Sequence, residues 1–244
     1  MYNTNQQQKP KTMKTALLLL SILFINACAS SSTSNSPNSK YKESKAISYL
    51  ALGDSYTIGE SVPNNQRWPV LLSKALRSEG HTIQAPRIIA KTGWRTDHLL
   101  KAMQSELNPT TKYDLVSVLI GVNNQFQRKS IETYENDLRT LFDQAIAYSK
   151  KGKAGVFVLS IPDYGATPYG APRAESIGQA IDKWNAVYQK VSREYQLPWY
   201  DITPISRKAT ENKSLIAGDG LHPSGKMYQL WVTEMASKVI ELVH

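Results

Sequence analysis

Ile47-Ser48-Tyr49-Leu50-Ala51-Leu52-Gly53-Asp54-Ser55-Tyr56 is an apolar run closed by a glycine and followed by polar residues. A short, nearly continuous apolar run bounded by a turn residue reads as a buried strand. Ser55 then stands just past the strand end, on a strand-to-helix turn. In open α/β folds that edge of the sheet is where ligands bind. The stretch therefore predicts a parallel α/β fold and a serine exposed at its working edge.

Three more segments fit the same arrangement. Asp219-Gly220-Leu221-His222 stands just before the last predicted helix. A serine hydroxyl is a weak nucleophile until an imidazole takes its proton, and a carboxylate fixes that imidazole's tautomer. At three residues' spacing a single turn can set Asp219 beside His222. Lys91-Thr92-Gly93-Trp94 follows the apolar Ile88-Ile89-Ala90, and Gly121-Val122-Asn123-Asn124 follows Leu115–Ile120. Acyl transfer puts negative charge on a carbonyl oxygen, which needs donors already in place. A glycine admits close backbone approach and an asparagine offers an uncharged NH₂. Each motif is weak alone; their order and their placement at element ends give them weight.

On these four segments the chain resembles the SGNH hydrolases, the GDSL-type esterase/lipase family. The resemblance runs from residue 47 to the C-terminal helix. It implies Ser55 as nucleophile, His222 as general base and Asp219 as its orienting acid. It also implies oxyanion donors from the Ser55 and Gly93 backbone and from the Asn123 side chain. The sequence departs from the family pattern at Tyr56, where leucine is usual, and at Asn124, where aspartate is usual. Asp54, Tyr56, Trp94, Asn124 and Tyr164 are candidate substrate-lining residues. Trp94 reads equally well as a core tryptophan. Tyr164 belongs to a loop, Pro162–Gly170, expected to lie over the site.

Other chemistries find little support. His81, His98 and His244 lack cysteine or paired-carboxylate company at ligand spacing, so no metal is expected. Asp97 and His98 fall on a predicted helix, where adjacent side chains diverge, and a surface role is expected for both. No cofactor is implied. No nucleic-acid-binding motif accompanies the net charge of +9.

The N-terminus carries part of that charge. Lys9, Lys11 and Lys14 precede the apolar run Ala16–Ile25, and no acid occurs before residue 28, so removing this segment takes +9 down to +6. The run is short for a membrane span and fits a signal-peptide core. Residues 1–27 are read as a signal peptide of lipoprotein type, with Cys28 as the lipidation site. Ala27-Cys28-Ala29 also fits an ordinary secretory cleavage, a retained anchor is a third reading, and Met13 is an alternative start. The lipoprotein reading gives the lone cysteine a task. It places the protein in a bacterial cell envelope, held to the membrane through Cys28; secretory cleavage would make it periplasmic or secreted. Residues 28–45, rich in Ser, Asn and Lys, read as a disordered tether with a reach of roughly 20–25 Å.

Residues 46–244 form one expected catalytic domain. Apolar stripes predict helices around Trp68–Leu76, Tyr134–Ala145, Ile177–Val191 and Tyr228–Leu242. Strands are expected at 115–120, 155–161 and near 198–202, with loops at 58–66, 162–174 and 203–218. Strands separated by helices pair in parallel. The expected fold is a three-layer α/β/α sandwich with a central, mainly parallel five-stranded sheet, flavodoxin-like as in the SGNH hydrolases. The expected activity is hydrolysis of small acyl esters, O-acetyl groups on glycans among them. Lysophospholipid or thioester hydrolysis is the alternative within the enzymes. A non-catalytic envelope lipoprotein that binds glycan or lipid is the alternative outside them.

Overall fold

The structure, a computed structural model, describes residues 46–243. The signal segment, Cys28, the tether and His244 lie outside the described residues. One sheet holds five strands: β1 (Tyr49–Gly53), β2 (Arg87–Ala90), β3 (Leu115–Leu119), β4 (Val156–Leu159) and β5 (Trp199–Tyr200). Their order is β2-β1-β3-β4-β5 and every neighbouring pair is parallel. β1, β3 and β4 are buried throughout, which is why they read as nearly continuous apolar runs, broken only by Ser117, rather than as alternations.

Five long helices cover the sheet: α2 (Trp68–Ser78), α3 (Thr96–Glu106), α5 (Ile131–Tyr148), α6 (Ala174–Glu194) and α8 (Gly225–Val243). α2 packs against α8, while α5 packs against both α3 and α6. Trp68, Leu72 and Leu76 of α2 meet a core that includes Tyr228, Trp231 and Met235 of α8. Ile177, Ile181, Trp184, Tyr188 and Val191 recur at helical spacing and form the buried stripe of α6. Each such side chain contributes about 1.5–3 kcal/mol when fully buried. Among the described residues no helix is long and apolar enough to cross a membrane.

The expected segment 155–161 ends as a strand at Leu159. Its last two residues are claimed sideways. Ser160 Oγ accepts the Ile202 and Thr203 backbone N–H, and the Ile161 N–H donates to Asn185 Oδ1 at 2.8 Å. The segment 203–218, expected to be loop, contains helix α7 (Thr203–Arg207) and two 3₁₀ turns, Lys208–Thr210 and Lys213–Leu215. Pro204 sits in the first turn of α7, where its missing N–H costs nothing. Two further short helices, α1 (Ser55–Ile58) and α4 (Val122–Phe126), follow β1 and β3 directly.

The strand order sets the location of the site. The chain moves from β1 outward to β2, then returns to the other side of β1 to lay down β3. The direction of winding reverses between β1 and β3, and a crevice opens beyond their carboxyl ends at such a switch point. α1 and α4 start at this crevice, which brings Ser55 and Asn123 to it.

Candidate active site

Asp54 caps α1: its Oδ1 accepts the Tyr56 N–H at 3.0 Å. That bond fixes the turn presenting Ser55 as the first helical residue. The second carboxylate oxygen of Asp54 is buried with no hydrogen-bond partner among the described residues. Burial drives the Asp54 carboxyl up to about 8, against a smaller lowering by its backbone hydrogen bonds. Asp54 is fully buried and serves the turn. It does not line substrate space, contrary to its candidacy.

His222 and Asp219 lie at the other end of the chain, just before α8. His222 Nδ1 bonds Asp219 Oδ2 at 2.6 Å, and Asp219 Oδ1 accepts the Leu221 and His222 N–H groups at 2.9 Å each. Desolvation pushes the Asp219 carboxyl up, yet hydrogen bonds from Ser61, the His222 ring and these two backbone groups hold it well below the usual carboxylate range. With Nδ1 donating to the carboxylate, Nε2 of the neutral imidazole is an acceptor. The Tyr56 ring stands edge-on to His222, centroids 5.8 Å apart.

Asn123 and Asn124, adjacent on α4, take different directions. Asn123 Nδ2 donates to the Trp94 carbonyl at 2.9 Å, which leaves its second N–H unused by that bond. Asn124 turns inward. Its Oδ1 accepts the Thr96 N–H at 3.1 Å and its Nδ2 donates to Thr96 Oγ1 at 2.8 Å. Thr96 Oγ1 donates in turn to Asp137 Oδ2 on α5 at 2.5 Å. Asn124 is therefore a buried brace between α4, α3 and α5, and is corrected from a lining residue to a structural one.

Ser55, Asn123 and His222 line one cavity of about 90 Å³. Its remaining wall is Tyr56, Val122, Leu221, Phe126, Tyr164 and Tyr169. Tyr56 and Tyr164 were candidates, and Tyr169 lies in the same loop expected over the site; Val122, Phe126 and Leu221 were not. Phe126 lies one helical turn beyond Asn123 and Leu221 directly precedes His222, so spacing from the motifs could have found both. Phe126 and Tyr169 are 48% and 49% exposed, with ring centroids 6.4 Å apart. They form an open aromatic rim.

Gly93 and Trp94 do not line this cavity. They border a wider neighbouring depression with Lys91, His98 and Lys101, and the Trp94 carbonyl bonded to Asn123 links the two. Gly93 has φ +82°, a backbone that favours glycine. Asp97 and His98, expected to diverge, instead converge on Arg95. The Arg95 guanidinium bonds both Asp97 carboxylate oxygens and lies 2.9 Å from His98 Nε2.

The GDSL-like Lipase/Acylhydrolase family matches this chain over residues 51–230, a span containing Ser55, Gly93, Asn123, Asp219 and His222. The chain belongs to that family. As a GDSL-like acylhydrolase it is a carboxylic ester hydrolase. No curated protein sequence matches it. Solved structures of similar fold include a lipase/acylhydrolase from Enterococcus faecalis, 21% identical with a TM-score of 0.61, covering 80% of this chain and 96% of that one. Another is the acetylxylan esterase Axe2 from Geobacillus stearothermophilus, 19% identical with a TM-score of 0.60, covering 79% of this chain and 94% of that one. The psychrotrophic esterase EstA from Pseudoalteromonas sp. is 18% identical with a TM-score of 0.59, over 80% of this chain and 97% of that one. At these identities the likeness is one of fold.

Proposed function

We propose that this GDSL-like acylhydrolase cleaves esters of short acyl groups, O-acetyl groups on glycans among them, through an acyl-enzyme on Ser55. The carrying observation is that His222, bonded to Asp219 through Nδ1, lines the same small cavity as Ser55. In this reading His222 Nε2 takes the Ser55 proton as Oγ attacks the ester carbonyl. The imidazolium, steadied by Asp219, then returns that proton to the departing alcohol. Water enters, His222 removes its proton, and the second tetrahedral intermediate collapses to release the acid and restore the Ser55 hydroxyl. The oxyanion formed in each half is met by the Ser55 N–H and by the Asn123 N–H that Trp94 leaves unused; the Gly93 N–H, expected as a third donor, lies outside the lining of this cavity.

The short acyl group is supported by size. A cavity of about 90 Å³ falls far below the roughly 300–1,000 Å³ of pockets that hold drug-sized ligands. The glycan assignment draws on the acetylxylan esterase among the proteins of similar fold.

The test is p-nitrophenyl acetate hydrolysis by Ser55→Ala, His222→Ala and the double variant. Each single change is expected to abolish turnover, and the double to cost no more than one alone, because the residues act as a unit. Wild-type turnover in either single variant would remove this mechanism.

A further inference from the structure

Ser61 reaches Asp219 from the opposite end of the domain sequence. Its Oγ donates to Asp219 Oδ2 at 2.7 Å. That same oxygen receives His222 Nδ1 at 2.6 Å, while Oδ1 is held by two backbone N–H groups. With four donors on two oxygens, the carboxylate has no free direction in which to rotate.

Reaching that position requires an unusual backbone. Ser61 has φ +63°, in the left-handed region that side-chain-bearing residues seldom occupy. Such conformations persist where the surroundings demand them, and they cluster at functional sites. Gly59, at φ +70°, begins the reversal. The N–H groups of Gly59 and Glu60 both return to the Ser55 carbonyl at 3.0 Å. In the same turn the Glu60 carboxylate accepts a hydrogen bond from Thr92, the neighbour of Gly93. Three residues after α1 are thus bonded to Ser55, to the Thr92-Gly93 turn and to the Asp219–His222 turn.

We propose that Ser61 is a positioning residue of the reaction, locking the Asp219 carboxylate in the orientation that holds His222 toward Ser55. This rests on the proposed roles of Ser55, His222 and Asp219. Ser61 itself touches neither substrate nor the reacting atoms; it acts through Asp219.

A role confined to shaping the turn makes a different forecast, and two substitutions separate them. Glycine takes φ +63° without strain and alanine does not, yet both remove the hydroxyl. Under the proposal, Ser61→Gly and Ser61→Ala both lower kcat on p-nitrophenyl acetate by roughly ten- to a hundredfold, the scale of one hydrogen bond to a charged group, with KM unchanged. The glycine variant melts above the alanine one.

Wild-type kcat in Ser61→Gly would overturn the proposal, whatever Ser61→Ala does. Ser55→Ala assayed alongside keeps the two ideas apart. Should Ser55→Ala remain active, the triad reading fails; should it be dead while Ser61→Gly matches wild type, the role of Ser61 alone is lost.

Discussion

Two carboxylates in this domain are pulled in opposite directions, and each has its own effect on stability. Asp219 is gripped by donors and lies well below an unfolded aspartate, so its stabilising contribution is present above about pH 4 and fades as pH falls further. Asp54 is the reverse case. Burial raises it to about 8, so the folded protein keeps a proton that the unfolded chain has released from about pH 4 upward. The unfolded state then binds fewer protons, and stability drops as pH climbs from about 4 toward 8. An asparagine at this position would keep the cap on the Tyr56 N–H without any charge to bury. Asp54→Asn is therefore expected to flatten the fall in Tm between about pH 5 and 9, with the variant gaining on wild type at the alkaline end. Equal Tm losses at both pH values would mean Asp54 is ionised in the native state. At this scale the sequence exposed Ser55, Asp219, His222 and Asn123 through residue type and position. It hid Asp54's burial and the reach of Ser61, because both depend on packing between residues far apart in the chain.

Among the elements, α4 shows how one short helix divides two adjacent asparagines between separate tasks. Asn123 faces the cavity; Asn124 is locked onto Thr96, which is locked onto Asp137. Asn123→Ala is expected to lower kcat by roughly 10²–10³ with little change in KM, the cost of removing one oxyanion donor. Asn124→Ala should instead be felt as lost stability. Leaving the Thr96 groups unpaired costs about 1–3 kcal/mol, and at this domain size each kcal/mol is about 2–4 °C of Tm. Kinetics and thermal melts of the two variants check this; a larger loss of kcat in Asn124→Ala would exchange their roles. The long elements were legible because their apolar stripes recur at helical or strand spacing, as in Trp68–Leu76 and Ile177–Val191. The short α1, α4 and α7 were not, since four or five residues carry no full period and their boundaries depend on caps such as Asp54.

Across the whole molecule, the strand order 2-1-3-4-5 could not be read from periodicity, yet it brings residues 55, 123 and 222 to one crevice. The far wall comes from elsewhere still: Phe126 from α4, with Tyr164 and Tyr169 from the segment after β4. Tyr164 is steadied by a hydrogen bond to Gln125 Oε1 at 3.0 Å and packs edge-on against Phe126. Phe126 and Tyr169 are half exposed and meet each other at the rim. An acyl chain lying against Ser55 would run out of enclosed space at this rim. Each further methylene that finds no wall forgoes about 0.8 kcal/mol of burial. Wild-type kcat/KM on p-nitrophenyl esters is therefore expected to be highest from acetyl to about hexanoyl and to decline beyond. Shortening the rim should extend the cavity rather than destroy it, because Phe126 is half exposed and its removal leaves little unfilled core. Phe126→Ala is expected to shift the optimum toward longer chains while acetyl turnover stays within the same order of magnitude. A wild-type optimum near a dozen carbons, with activation above the micelle threshold, would reject the small short-acyl cavity. An optimum unmoved by Phe126→Ala would show that the chain leaves by another face, toward the depression beside Trp94.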